Sequence, residues 1–157
     1  MQKRIIPSDT SPASMPDDQW LDLERLAEVE LTSEDPSYPI ESAVQPRQGS
    51  GWRAAAPGPQ TIRLRFAVPQ RVRRIWLQFN ETERPRTQEY VLRWSADNGQ
   101  TFRDVVRQQW TFSPQGSNRE TEDHRTDLSQ VTALELQITP DVSGGDSRAS
   151  LAQIRVA

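Results

Sequence analysis

Asn98-Gly99 stands between the alternating run Tyr90, Leu92, Trp94 and the apolar pair Val105-Val106. A type I′ turn needs positive φ at both central positions, and Asn-Gly accepts this at little steric cost. Asp97 can bond the backbone two residues on and hold the reversal. An antiparallel hairpin over residues 89–107 is therefore predicted. Its alternation of apolar and polar residues recurs along most of the chain after residue 30.

Ile62, Leu64 and Phe66 alternate with Arg63 and Arg65, which reads as a half-buried strand. Pro69-Gln70 breaks the pattern, and Val72–Phe79 resumes it with Ile75, Leu77 and Phe79 inward and Arg74, Trp76 and Gln78 outward. Residues 80–88 read as a polar loop, Trp110–Phe112 as a short strand, and residues 113–126 as a long polar loop. Leu134, Leu136 and Ile138 face inward on the next strand, and Leu151, Ile154 and Val156 mark the last. Toward the N-terminus, Ala27, Val29 and Leu31 share one face of a strand, while residues 33–51 are loop. Asp17 or Asp18 is expected to cap a short helix bearing Trp20, Leu23 and Leu26. Residues 1–16, with three prolines, are expected to be a flexible leader before one domain over 17–157. Short strands at hairpin spacing predict an all-β sandwich or jelly roll.

The chain has no cysteine, which excludes disulfides, thiolate chemistry and Cys-based zinc sites. No apolar run matches a signal peptide or a membrane span, so a cytoplasmic location without membrane partners is expected. Charge is unevenly spread: residues 1–45 sum to −7, residues 46–110 to +7 and residues 111–157 to −3. Eighteen of the 19 basic residues are Arg, the side chain suited to bidentate recognition of carboxylate or phosphate. No P-loop, Ser–His–Asp order or metal-ligand spacing is present, and Glu81 and Glu83 lie in a loop that cannot fix their separation. His124, the single histidine, reads as an exposed loop residue. No enzyme and no cofactor are expected.

The order of these pieces resembles the discoidin family, also called the coagulation factor 5/8 type C domain, a galactose-binding-like jelly roll. The likeness runs over residues 22–157. Leu26-Ala27 and Thr32–Pro36 are similar to the family's first strand and its exit. Ala43-Val44 followed by Trp52 resembles its Ala-Ile-Asp-Gly to Thr-x-Trp segment, and Ser95–Phe102 its strand and hairpin. The resemblance implies a discoidin-like jelly-roll sandwich that binds carbohydrate through loops at one end. Members with a structural calcium carry acids where Gln45 and Gln153 stand, so this chain is expected to lack that site. Two shorter likenesses occur. Trp52–Ala55 and Phe112–Pro114 resemble the N-terminal domain of a eukaryotic single-strand-break-repair scaffold, and Asp97–Phe102 resembles the structural Asp-box hairpin of sialidases.

The loops that correspond to the family's binding end are 33–40, 45–52, 80–88 and 113–126. They nominate Tyr38, Asn80, Glu83, Arg84, Arg86 and Trp110 as ligand-binding residues, since aromatic rings stack on sugars and Arg or Asn bond hydroxyls. The alternative is a protein-interaction subunit using an outward face of Arg63, Arg65, Arg74, Trp76 and Arg93. The acidic N-terminal segment could instead fold across that face and cancel its charge. Overall acidity disfavours nucleic acid as the partner.

Overall fold

The computed structural model describes residues 1–4, 20–45 and 49–157. The expected leader and the Asp17 or Asp18 cap fall mainly outside the described residues. The short helix α1 (Leu23–Leu26) is capped by Asp22, whose carboxylate accepts from the Arg25 N–H at 3.4 Å. Among the described residues, eight strands and one further helical turn follow. They are β1 (Ala27–Leu31), α2 (Glu41–Val44), β2 (Trp52–Pro57), β3 (Gln60–Asn80), β4 (Arg86–Ser95), β5 (Arg103–Phe112), β6 (Arg119–Thr139), β7 (Arg148–Leu151) and β8 (Gln153–Val156).

All strand pairs are antiparallel, in the order β1-β3-β6-β4-β5, with β8 also on β3 and a separate pair β2-β7. The two 21-residue strands β3 and β6 serve both layers of the sandwich. Residues 60–65 of β3 pair with 133–138 of β6, between β1 and β4. Residues 74–80 pair with 119–125, and β8 lies on the other side of β3. Between these stretches the register shifts three times. Pro69-Gln70 sits there, so it bends the strand and does not end it, as befits a residue without an N–H at a bulge. Gln130, with φ +60°, marks the bend on β6.

The two layers meet over one core. Leu64, Leu92 and Leu134 come from one layer, and Ile75, Leu77 and Phe79 from the other. Phe79 stacks on Tyr90 of β4 at 5.3 Å between centroids, across strands that do not pair. The inward sets read from alternation at 62–66, 75–79 and 134–138 are all in this core.

The Asn98-Gly99 reversal is built as expected in backbone conformation but is longer than a two-residue turn. Asn98 and Gly99 have φ of +63° and +87°, and strand pairing resumes at Trp94↔Arg103. Asp97 ties the loop: it accepts from the Ser95 hydroxyl at 2.7 Å and from the Thr101 N–H at 2.9 Å. The Thr101 and Ser95 hydroxyls, with the Thr101 N–H, hold its carboxyl down to about 2.

Residues 113–126 are not one long loop. β6 begins at Arg119, and Glu120, Glu122 and His124 are strand residues opposite Phe79, Leu77 and Ile75. His124 is therefore no exposed loop histidine. It is half-buried, it shares a 2.7 Å hydrogen bond with the Tyr90 hydroxyl, and burial lowers its pKa.

The five residues expected to form one basic face lie in two places. Arg63, Arg65 and Arg93 belong to one layer. Arg74 and Trp76 belong to the other end of β3. Arg74 is 4% exposed and grips Asp123 with two donors at 2.7 and 3.0 Å, with the Trp20 ring 5.0 Å away. Trp76 is half-buried. The remaining stripe is an alternating row in register across five strands: Glu30↔Arg63↔Glu135↔Arg93↔Asp104. Arg63 meets Glu135 at 2.6 Å and Glu30 at 3.4 Å, Arg93 meets Asp104 at 2.9 Å, and Arg65 meets Glu30 at 3.4 Å. The sheet's own acids neutralise these arginines.

Candidate functional site

The pair β2-β7 buries Trp52, Ala54, Ala149 and Leu151 on one face. Alternation then turns Arg53, Arg148 and Ser150 to the other, where Arg53 stands opposite Ser150. That outer face is the floor of a cleft of about 540 Å3. One wall is the β3–β4 turn, with Asn80, Glu81, Thr82, Glu83, Arg84 and Arg86; Tyr38 and Asp146-Ser147 complete the rim.

Each wall is fixed by local chemistry. Glu81 organises the β3–β4 turn: one oxygen accepts from the Glu83 and Arg84 N–H groups at 2.9 and 3.4 Å, the other from Arg86 Nε at 2.6 Å. Burial alone would raise the Glu81 pKa, but the Arg86 guanidinium and the two N–H groups outweigh it and lower the pKa. Arg84 reaches across the opening to an ion pair with Asp146, which lowers the Asp146 pKa. Tyr38 is placed by Asp35, whose carboxylate accepts from the Ser37 N–H at 2.9 Å and whose carbonyl accepts from the Tyr38 N–H at 2.8 Å. The loop is stitched to β2 by the Arg53 N–H to the Tyr38 carbonyl at 3.2 Å, and the Arg53 guanidinium lies over the Tyr38 ring at 4.5 Å. Below them Trp52, 1% exposed, donates from Nε1 to the Ser33 carbonyl at 3.1 Å.

Gly51 is a geometric requirement of this floor. Its φ is +78°, and a Cβ there would lie 2.6 Å from the Leu151 carbonyl oxygen and 2.8 Å from Ala152 Cα. Gly51→Ala is expected to destabilise the domain by at least about 1 kcal/mol, since the substitution is strained in φ and in space. Thermal unfolding would show this as a lower midpoint. An unchanged midpoint would mean that the 151–152 backbone yields freely.

Five of the six ligand-binding candidates, Tyr38, Asn80, Glu83, Arg84 and Arg86, line this one cleft. Two corrections concern what they can do there. Arg86 is no loop residue: it opens β4, its side chain is 2% exposed, and it donates to Glu81, to Gln88 at 3.2 Å and to the Pro140 carbonyl at 2.7 Å. Its role is to hold the turn. Trp110 is on β5, half-buried, and does not line the cleft. Sequence reasoning missed Arg53, Arg148 and Ser150. The Trp52-x-Ala54 and Ala149-x-Leu151 alternations were the signal that could have placed them outward.

The residues at the position of the family's calcium site do not fit a cation. Gln153 donates its amide to the Gln45 carbonyl at 3.1 Å, and Gln45 donates its own amide to Glu24 at 2.6 Å. A calcium ion takes oxygen ligands and repels amide N–H groups. Here hydrogen bonds from the two amides, one to the Gln45 carbonyl and one to the Glu24 carboxylate, join α2 to β8 and α1.

With this geometry established, comparison with known proteins places the chain. The model of the F5/8 type C domain matches residues 28–154. Among solved structures, the family 32 carbohydrate-binding module of Clostridium perfringens NanJ, in complex with galactose, superposes with a TM-score of 0.65 at 17% identity. That match covers 87% of this chain and 96% of the other. A second C. perfringens module, in complex with GalNAc-β-1,3-galactose, gives 0.65 at 20% identity over 87% and 98% of the two chains. The family 32 module of AlyQ, in complex with 4,5-unsaturated mannuronic acid, gives 0.61 at 14% identity over 84% and 95%. No curated protein matches the sequence. A sandwich in which β3 and β6 run through both layers, with the matched segment spanning nearly every strand, makes this chain a member of the F5/8 type C domain family.

Proposed function

We propose that the domain is a non-catalytic carbohydrate-binding module and that the cleft over β2-β7 holds the sugar. The observation that carries this is the cleft itself: a concave, mainly polar site at the loop end of a sandwich whose solved relatives hold sugars. Its lining combines the Tyr38 ring with donors and acceptors from Asn80, Glu83, Arg84, Arg53 and Ser150. Sugar rings present an apolar face and a fringe of hydroxyls, which such a lining complements. On the Arg strand face, by contrast, Arg63, Arg65 and Arg93 are already engaged by acids of neighbouring strands or by the Asn98 carbonyl.

Isothermal titration against a panel of oligosaccharides tests the proposal, with Tyr38→Ala and Arg84→Ala as site variants and Arg93→Ala as a control on the other face. At least one glycan should bind, and each site variant should weaken it tenfold or more, while Arg93→Ala leaves it unchanged. Arg86 is unsuitable for this test because its removal would unfold the turn. Glycan binding that survives both site variants would place the sugar elsewhere, and no binding across the panel would sink the proposal.

A further inference from the structure

Building on the carbohydrate reading, we infer that the cleft selects sugars carrying a carboxylate, with Arg53 and Arg148 as the receiving pair. Most charges in the cleft are already matched. Glu81 and Arg86 satisfy one another at the base of the turn, and Arg84 and Asp146 do so across the rim. Arg148 reaches an acid, Asp35, only at 4.0 Å. Among the described residues Arg53 has no carboxylate partner, and its guanidinium carbon lies 4.5 Å from the Tyr38 ring centroid.

The pair is also placed for one ligand. Arg53 stands opposite Ser150 on the outer face of β2-β7, and Arg148 lies two residues from Ser150 on the same face. A guanidinium presents a planar fork that matches both oxygens of a carboxylate, and the contact with Tyr38 restrains the Arg53 side chain in advance. Ser150 adds a hydroxyl between the two. The one cleft acid outside the two closed ion pairs is Glu83, which is exposed on the opposite wall and not on the floor. A uronic acid seated with its ring toward Tyr38 would place its carboxylate on the basic floor and its hydroxyls against Asn80 and Glu83.

Matched pairs of sugars separate this inference from the reading beneath it. Galactotriose is compared with trigalacturonate, and mannotriose with trimannuronate, by isothermal titration of the full chain. The uronic member of a pair should bind at least tenfold tighter in low salt, and the advantage should shrink in 0.5 M NaCl because part of it is Coulombic. Arg53→Gln and Arg148→Gln should each remove most of that advantage, weakening the uronic member of a pair by a much larger factor than the neutral member. Arg53→Lys keeps the charge and loses the fork, so it should recover only part. Thermal melts of each variant guard against misfolding. Equal binding of neutral and uronic members would overturn the inference and leave the carbohydrate module standing. Absence of binding by every member would overturn both.

Discussion

Replacing Arg86 by Met is expected to lower the midpoint of thermal unfolding by roughly 10 °C, the largest effect of any single substitution outside the apolar core. The side chain is 2% exposed and makes a 2.6 Å ion pair with Glu81, whose own side chain is 14% exposed. It also satisfies the Pro140 carbonyl at 2.7 Å and lies 4.8 Å over the Phe112 ring. Met supplies comparable volume but no charge and no donors. The loss therefore leaves a largely buried carboxylate and a carbonyl without partners. Removing one member of a buried pair costs about 3–5 kcal/mol, and about 1 kcal/mol moves the midpoint of a domain this size by roughly 2–4 °C. The pairing itself is tested by Glu81→Gln in the same background. If the cost is the uncompensated charge, the double variant should recover a substantial part of the lost stability, a coupling visible in a double-mutant cycle. Strict additivity of the two substitutions would show that Arg86 acts independently of Glu81, through the Pro140 carbonyl and packing on Phe112.

Glu120→Gln should raise stability at alkaline pH and leave it nearly unchanged near pH 4. Glu120 is fully buried on β6; one oxygen accepts from Gln88 at 3.3 Å and the other has no partner. Burial, together with the neighbouring Glu122 charge, pushes its carboxyl up to about 8. A pKa raised in the folded state contributes stability that is complete below the unfolded value, near 4.5, and is lost as pH climbs through the folded value. Wild type should thus lose stability relative to Glu120→Gln between about pH 5 and pH 9, by on the order of 2 kcal/mol or more. His124 works in the opposite sense. Burial lowers its pKa, so its contribution is present at high pH and fades on acidification. Comparing wild type with the variant at each pH cancels the histidine. Paired melts from pH 4 to pH 9 decide the matter. A difference that does not vary with pH would mean that Glu120 titrates as it does in the unfolded chain.

These buried polar groups explain where sequence reasoning stopped. Apolar alternation located the strands at 62–66, 75–79, 90–94 and 134–138 because their inward positions are Ile, Leu, Phe and Tyr. It failed over 119–126, where the inward positions are Glu120, Glu122 and His124 and the same alternation is written in polar residues. The core tolerates them because Gln88 and Tyr90 meet Glu120 and His124 from β4. Arg74 and Arg86 were misplaced for a related reason: composition says that arginine is a surface residue, and only three dimensions bring Asp123 and Glu81 alongside. The rim of the cleft was legible as loops. Its floor was not, because β2 and β7 are short and are separated by about ninety residues. Arg53 and Arg148 come together only when those strands pair.

The charged row Glu30, Arg63, Glu135, Arg93, Asp104 has a consequence for how the chain finds its pairing. Apolar alternation repeats every two residues, so a strand slipped by two positions still buries the same face. Such a slip between β6 and β4 would put Arg93 opposite Ala133 or Gln137, breaking the row at its centre. Cross-strand charge pairs are worth only a few tenths to about 1 kcal/mol each, yet this row distinguishes two alignments that the core alone scores alike. Its arginines and acids act as a vernier scale, reading the alignment of five strands at once.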